Sequence, residues 1–222
     1  MKVIRQLTLT ILTLIVLSSY AAAATYTVNR ADDLGDGVCD ATCTLRDAIT
    51  TANVTEPFDD LIVFDSSLTT ITLNNEIAID QSGRLSITGP GADRLTINGG
   101  PGSNRIFYTF TSLPFSSELN ISDLTLSGGN GDGAFASGFG GAIYANASGL
   151  RFNRVHITGN TASSGGGVYY NATGLGVFDT TFSNNSSTGD CGGFNNRGDG
   201  LMIENSTISG NTAGGDGGGF CH

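Results

Sequence analysis

Apolar and polar positions alternate along much of the chain, as in Leu124-Thr125-Leu126 and Val155-His156-Ile157. Successive side chains of a strand point to opposite faces, so this is strand periodicity. Short runs of the same kind recur at Leu61-Ile62-Val63-Phe64, Ile71-Thr72-Leu73, Ile77-Ala78-Ile79, Leu85-Ser86-Ile87, Leu95-Thr96-Ile97 and Leu119-Asn120-Ile121. Gly, Asn, Thr and Ser interrupt them every few residues, with turns at Gly89-Pro90-Gly91 and Gly99-Gly100-Pro101-Gly102. One segment departs from this pattern. Leu45, Ala48, Ile49 and Ala52 stand at i, i+3, i+4 and i+7, which predicts a short amphipathic helix. Thr44 is its expected N-cap, Asp47 completes a capping box, and Asn53 suits its end.

Glycine pairs recur at one spacing: Gly140-Gly141, Gly166-Gly167, Gly192-Gly193 and Gly218-Gly219, each step 26 residues. A second phrase recurs between them, at Ile157-Thr158-Gly159-Asn160, Phe182-Ser183-Asn184-Asn185 and Ile208-Ser209-Gly210-Asn211, with steps of 25 and 26. Repetition with strand periodicity and glycine turns predicts a solenoid of stacked coils, an all-β, right-handed parallel β-helix. Stacking in register predicts columns of like residues: Leu150, Leu175 and Leu201; Phe152, Val177 and Ile203; Ile157, Phe182 and Ile208; and Ala142, Val168, Phe194 and Phe220. Asn160, Asn185 and Asn211 are expected to form a hydrogen-bonded ladder at a turn. Arg154 is expected to pair with Asp179 one coil on. Gly128 to Gly141 reads as a glycine-rich loop leading into the regular coils.

The ends change the picture. Met1 to Ala24 has a basic start (Lys2, Arg5), an apolar run from Leu7 to Leu17 and four small residues, Ala21 to Ala24. That is the pattern of a secretory signal peptide, and the run is too short to span a bilayer. Residues 25–57 form the expected cap of the solenoid and 58–222 its coils. The chain stops within a repeat and shows no polar closing segment, so it is expected to be the N-terminal part of a longer protein. Membrane attachment is then expected only through that further C-terminal region. Without Lys2 and Arg5 the net charge falls from −10 to −12, and no lysine remains. Such a surface repels nucleic acid and anionic lipid, so neither is expected as a partner.

Candidate chemistry is sparse. Cys39 and Cys43 flank the loop before the helix, and in an exported chain a close pair favours a disulfide over a zinc site. Cys191 and Cys221 lie four positions out of register, and are expected to pair outside this chain or stay free. No cofactor is expected. Calcium is the alternative weighed for Asp32-Asp33-Leu34-Gly35-Asp36-Gly37-Val38-Cys39-Asp40, but Leu34 occupies a ligand position and no Glu closes the loop. Tyr144, Tyr169, Tyr170 and His156 are the candidate ligand-facing residues, with inward packing the alternative for some of the tyrosines. By alternation His156 and Arg151 point outward with no carboxylate beside them: Thr181 and Thr207 lie over His156, and Gly176 and Met202 over Arg151. No constellation amounts to a catalytic site.

The run Ala31-Asp32-Asp33 … Asp36-Gly37-Val38-Cys39 … Cys43-Thr44-Leu45-Arg46-Asp47-Ala48-Ile49 resembles the N-terminal box of bacterial proteins named for a Cys-Ser-Leu-Arg-Glu-Ala motif. Thr44 and Asp47 depart from its Ser and Glu. Gly140-Gly141-Ala142-Ile143 and Phe182-Ser183-Asn184-Asn185 resemble phrases of polymorphic outer-membrane proteins and related pectin-lyase-like solenoids. The resemblance implies a secreted or outer-membrane surface protein, often adhesive, and carries over no catalytic residue. The expectation is therefore a non-catalytic protein that binds a glycan or host surface. The alternative is a polysaccharide lyase or glycoside hydrolase whose site lies mostly outside this chain.

Overall fold

The computed structural model describes residues 23–55, 59–80, 83–100, 104–111, 118–146 and 149–222. The expected leader therefore lies almost wholly outside the described residues, as does Pro101-Gly102 of the second glycine turn.

The described chain is all-β apart from one helix, and every strand pairing is parallel. A seven-stranded sheet runs in the order Thr25–Val28, Asp60–Phe64, Arg84–Thr88, Glu118–Ser122, Leu150–Asn153, Leu175–Phe178, Leu201–Glu204. A second sheet holds Thr70–Thr72, Thr96–Asn98, Thr125–Ser127, His156–Thr158, Thr181–Ser183 and Thr207–Ser209. A third holds Ile77–Asp80, Phe107–Phe110, Ile143–Ala145, Val168–Tyr170, Phe194–Asn196 and Phe220–Cys221. A small fourth sheet joins Thr161–Ala162, Ser186–Ser187 and Thr212–Ala213. The chain visits the first three sheets in rotation, so each strand pairs with its counterpart one circuit later. This arrangement is consistent with an all-β parallel solenoid.

Alternation decides which face is buried. Ile62, Ile87, Ile121, Phe152 and Val177 stack in register in the first sheet, and all are buried. Ile71, Ile97, Leu126, Ile157 and Phe182 do the same in the second. Together they belong to one continuous apolar cluster. Burying each such side chain contributes about 1.5–3 kcal/mol. The Asn ladder is present: Asn160 Nδ2 donates to Asn185 Oδ1 at 3.0 Å, and Asn185 Nδ2 to Asn211 Oδ1 at 2.9 Å.

Three expectations need correction. In the third sheet the buried column holds Ile77, Phe107, Ile143, Val168 and Phe194, with Ile143 rather than Ala142. The step is 25 residues here, as it is from Leu150 to Leu175 and Ile157 to Phe182, so Gly141 rather than Gly140 lies over Gly166. Arg154 pairs with Asp123, one circuit earlier, through Nε at 2.6 Å and Nη2 at 2.7 Å. Asp179 accepts instead from the Asn205 amide. Asp123, Arg154, Asp179 and Asn205 share one turn column, all with positive φ between 46° and 56°.

The third correction concerns cysteine. Cys191 and Cys221 are bonded to each other, with Cα atoms 5.5 Å apart. The expected offset assumes an extended chain from residue 191 to 195. The chain is instead folded tightly there, with Cys191 at φ +63° in a column otherwise filled by Gly140, Gly165 and Gly217, at φ +61°, +62° and +69°. A Cβ built on Gly217 would lie 2.6 Å from Cys221 Sγ, so this turn aims a side chain at the residue four positions on.

The helix α1 spans Leu45–Val54, one residue past Asn53, with Thr44 as N-cap and a complete capping box with Asp47. It buries Leu45, Ala48, Ile49 and Ala52 in the same apolar cluster as the first strands. Cys39 and Cys43 are disulfide-bonded, Cα atoms 4.6 Å apart. The acidic loop is tied to protein groups. Asp33 takes a two-pronged bond from Arg46 at 2.9 and 2.7 Å and accepts from the Asn74 N–H, and Asp32 pairs with Arg30. Asp36 and Asp40 accept from the backbone of Val38 and Thr42.

Candidate functional site

In the third sheet, residues that alternate with the buried column point outward. Tyr108, Tyr144 and Tyr169 occupy one such column, opposite one another in adjacent strands. Their rings stack in sequence with centroids 5.7 Å and 5.5 Å apart and planes within 21° and 13° of parallel. Parallel rings in contact at that separation must be offset, which leaves part of each face uncovered. The next place in the column is Asn195, where the aromatic ladder ends. Phe110 stacks beside Tyr108 at 5.6 Å.

The glycine-rich loop supplies the rest of the face. Phe135 stacks on Tyr108 at 4.9 Å, and Phe139 meets Tyr169 edge-on at 4.7 Å. Phe135 is 55% exposed and Phe139 37%. Arg105 holds this loop. Its side chain is fully buried and its guanidinium donates to five loop carbonyls: Gly131, Phe135, Ala136, Phe139 and Gly140, at 2.7–3.1 Å. Its charge is met by Glu76, which also accepts from the Ala134 N–H. Burial pushes the Glu76 carboxyl above its usual range, against the pull of Arg105. Burial likewise raises the Tyr144 phenol, with the neighbouring Tyr169 and Tyr108 adding to the shift. Gly133 passes so close to Glu76 that a Cβ there would lie 2.3 Å from its carboxylate.

Of the four expected ligand-facing residues, Tyr144 and Tyr169 lie on this face, half-buried. Tyr170 does not. One residue after Tyr169 it points to the interior, fully buried, where burial pushes its phenol up to about 12. His156 lies on the outer side of the second sheet, apart from the tyrosines. Its Nε2 is 2.8 Å from Ser183 Oγ, and burial lowers its pKa, keeping the imidazole neutral at pH 7. It lines an open groove with Asp93, Arg154, Asp179 and Thr181. Thr181 and Thr207 lie over His156 as expected, and Asp93 and Asp179 line the same open groove. Arg151 has a carboxylate neighbour that the column did not foresee, Glu118 at 3.5 Å, and its guanidinium lies 4.6 Å from the Phe178 ring centre.

Tyr108, Phe135 and Phe139 were not foreseen as site residues. Phe107-Tyr108-Thr109-Phe110 lacks apolar–polar alternation, since aromatic residues occupy both faces of that strand. Its distance from the repeats hid the match of Tyr108 to Tyr144. Among the described residues no three His, Cys, Asp or Glu side chains come together as metal ligands. The arrangement can present a rigid aromatic shelf fringed with phenol hydroxyls. No family model matches the chain, and neither does any curated protein or solved structure.

Proposed function

We propose that this is an exported bacterial β-helix protein, secreted or held at the outer surface, that binds a glycan or host-surface ligand without chemically altering it. On this reading the stacked sheets are a right-handed parallel β-helix of the pectin-lyase-like kind, and α1 is the lid over its first coil. The observation that carries the function is the ladder Tyr108–Tyr144–Tyr169, flanked by exposed Phe135 and Phe139. Tyrosine and phenylalanine offer large contact area at low side-chain entropy cost, and aromatic clusters of this kind anchor binding surfaces. Here stacking and the Arg105 contacts already hold them in place, so little further order is lost on binding.

A second reading, glycan cleavage, draws on the open groove whose lining includes His156, Asp93 and Asp179. A glycan-array screen with product analysis in the same wells separates the two. Binding without product, weakened by Tyr169→Ala, supports the first. Product release that Tyr169→Ala leaves intact and His156→Ala abolishes supports the second. Neither binding nor product contradicts both.

A further inference from the structure

We propose that the ladder face takes an uncharged polysaccharide, laid along the stacking direction, and discriminates against acidic ones. This rests on the reading of that face as the binding site. Two features point to it. The first is charge. Arg105, the cation beneath the face, is fully buried, and its donors are taken up by Glu76 and the loop carbonyls. It has no donor left for a uronate or sulfate. The chain has no lysine after residue 2, and its surface field is strongly negative, which opposes the approach of a polyanion.

The second is spacing. Tyr108, Tyr144 and Tyr169 repeat once per strand along the stack, so ring edges, the offset parts of the ring faces and the phenol groups form a row with ring centroids 5.7 and 5.5 Å apart. An extended sugar chain likewise repeats an apolar ring face and a set of hydroxyls along its length. Phenol groups can donate to and accept from neutral hydroxyls without a charge to compensate. The row ends at Asn195, a buried residue whose Nδ2 donates to Ser164 Oγ at 2.9 Å and whose Oδ1 has no partner in the protein. The occupant therefore gains by stacking and neutral hydrogen bonds, and its affinity should vary little with salt.

The test is calorimetric titration of the purified protein with a panel of neutral β-glucans, mannans and galactans, and with polygalacturonate and alginate. The expected result is binding to at least one neutral polymer, insensitive to salt and about tenfold weaker in Phe135→Ala and in Tyr169→Ala. Phe135 is an exposed loop residue, so its removal leaves the fold intact and separates lost binding from lost structure. Binding of the acidic polymers through these same residues, with the neutral ones ignored, leaves the face as the site and overturns the proposal. Binding indifferent to both substitutions, or none at all, overturns the reading of the face as well.

Discussion

Single residues show most clearly what the repeat demands. Asn185 donates to Asn211 Oδ1 and the Ile157 carbonyl, both at 2.9 Å, and accepts from the Asn160 amide and backbone N–H. Asn185→Ala leaves the buried Asn160 backbone N–H without its acceptor, while Asn160 Nδ2 keeps the Leu126 and Thr158 carbonyls, and is expected to cost about 2–3 kcal/mol, read from the urea midpoint. Cys191 is held in a backbone region that disfavours side chains. In a Cys221→Ser background, where the disulfide is gone, Cys191→Gly should be more stable than Cys191→Ser by about 1 kcal/mol in thermal melts. Equal stability would mean that the turn is not held at positive φ. The Asn ladder was legible because three Asn recur at the coil spacing. The turn column of Asp123, Arg154, Asp179 and Asn205 was not, because no glycine marks it. Asp and Asn tolerate positive φ, while Arg154 gives no signal of it.

At the scale of elements, α1 and the glycine-rich loop are each fixed by a buried charge. Asp47 is almost fully buried, and burial works against its carboxylate. Bonds from the Thr44 hydroxyl and N–H and from the Gly37 N–H outweigh that and hold its pKa below the usual value. A depressed carboxylate stabilises the fold above its unfolded pKa of about 3.9, and this contribution is lost as pH falls through the folded value. Stability should therefore drop below about pH 4, and Asp47→Asn should flatten that acid limb in pH-dependent melts. An unchanged limb would remove Asp47 from the account. Arg105→Ala leaves Glu76 buried without its partner and is expected to cost about 3–5 kcal/mol. Arg105→Lys keeps the charge but cannot reach five carbonyls, so limited proteolysis should cut between residues 131 and 139 sooner than in the parent. The helix was legible from its apolar spacing and Thr44. The clasp was not, because Arg105 meets Glu76 and the loop only through long-range folding, and no local pattern encodes that.

Over the whole molecule, close backbone stacking ties each circuit to the next. A Cβ on Gly166 would lie 2.4 Å from Gly192 O and 2.5 Å from Ser186 O, both fixed backbone atoms. Gly166→Val is expected to destabilise by about 3 kcal/mol, and a variant that melts with the parent would mean that these circuits are not stacked as described. Strand periodicity and the repeat made the all-β parallel architecture readable in advance. Register was less secure: a run of three glycines, Gly165 to Gly167, allows two alignments that differ by one residue, and only the stacked strands on either side decide between them. The candidate site was the least legible, because its face combines a loop with a strand lacking alternation. The most direct test is hydrogen exchange followed by mass spectrometry, with and without the best glycan from the array. Slowed exchange is expected in segments 107–110, 131–145 and 168–170, with the His156 groove unchanged. Protection confined to 154–158 and 179–183, with the aromatic face unaffected, would contradict it.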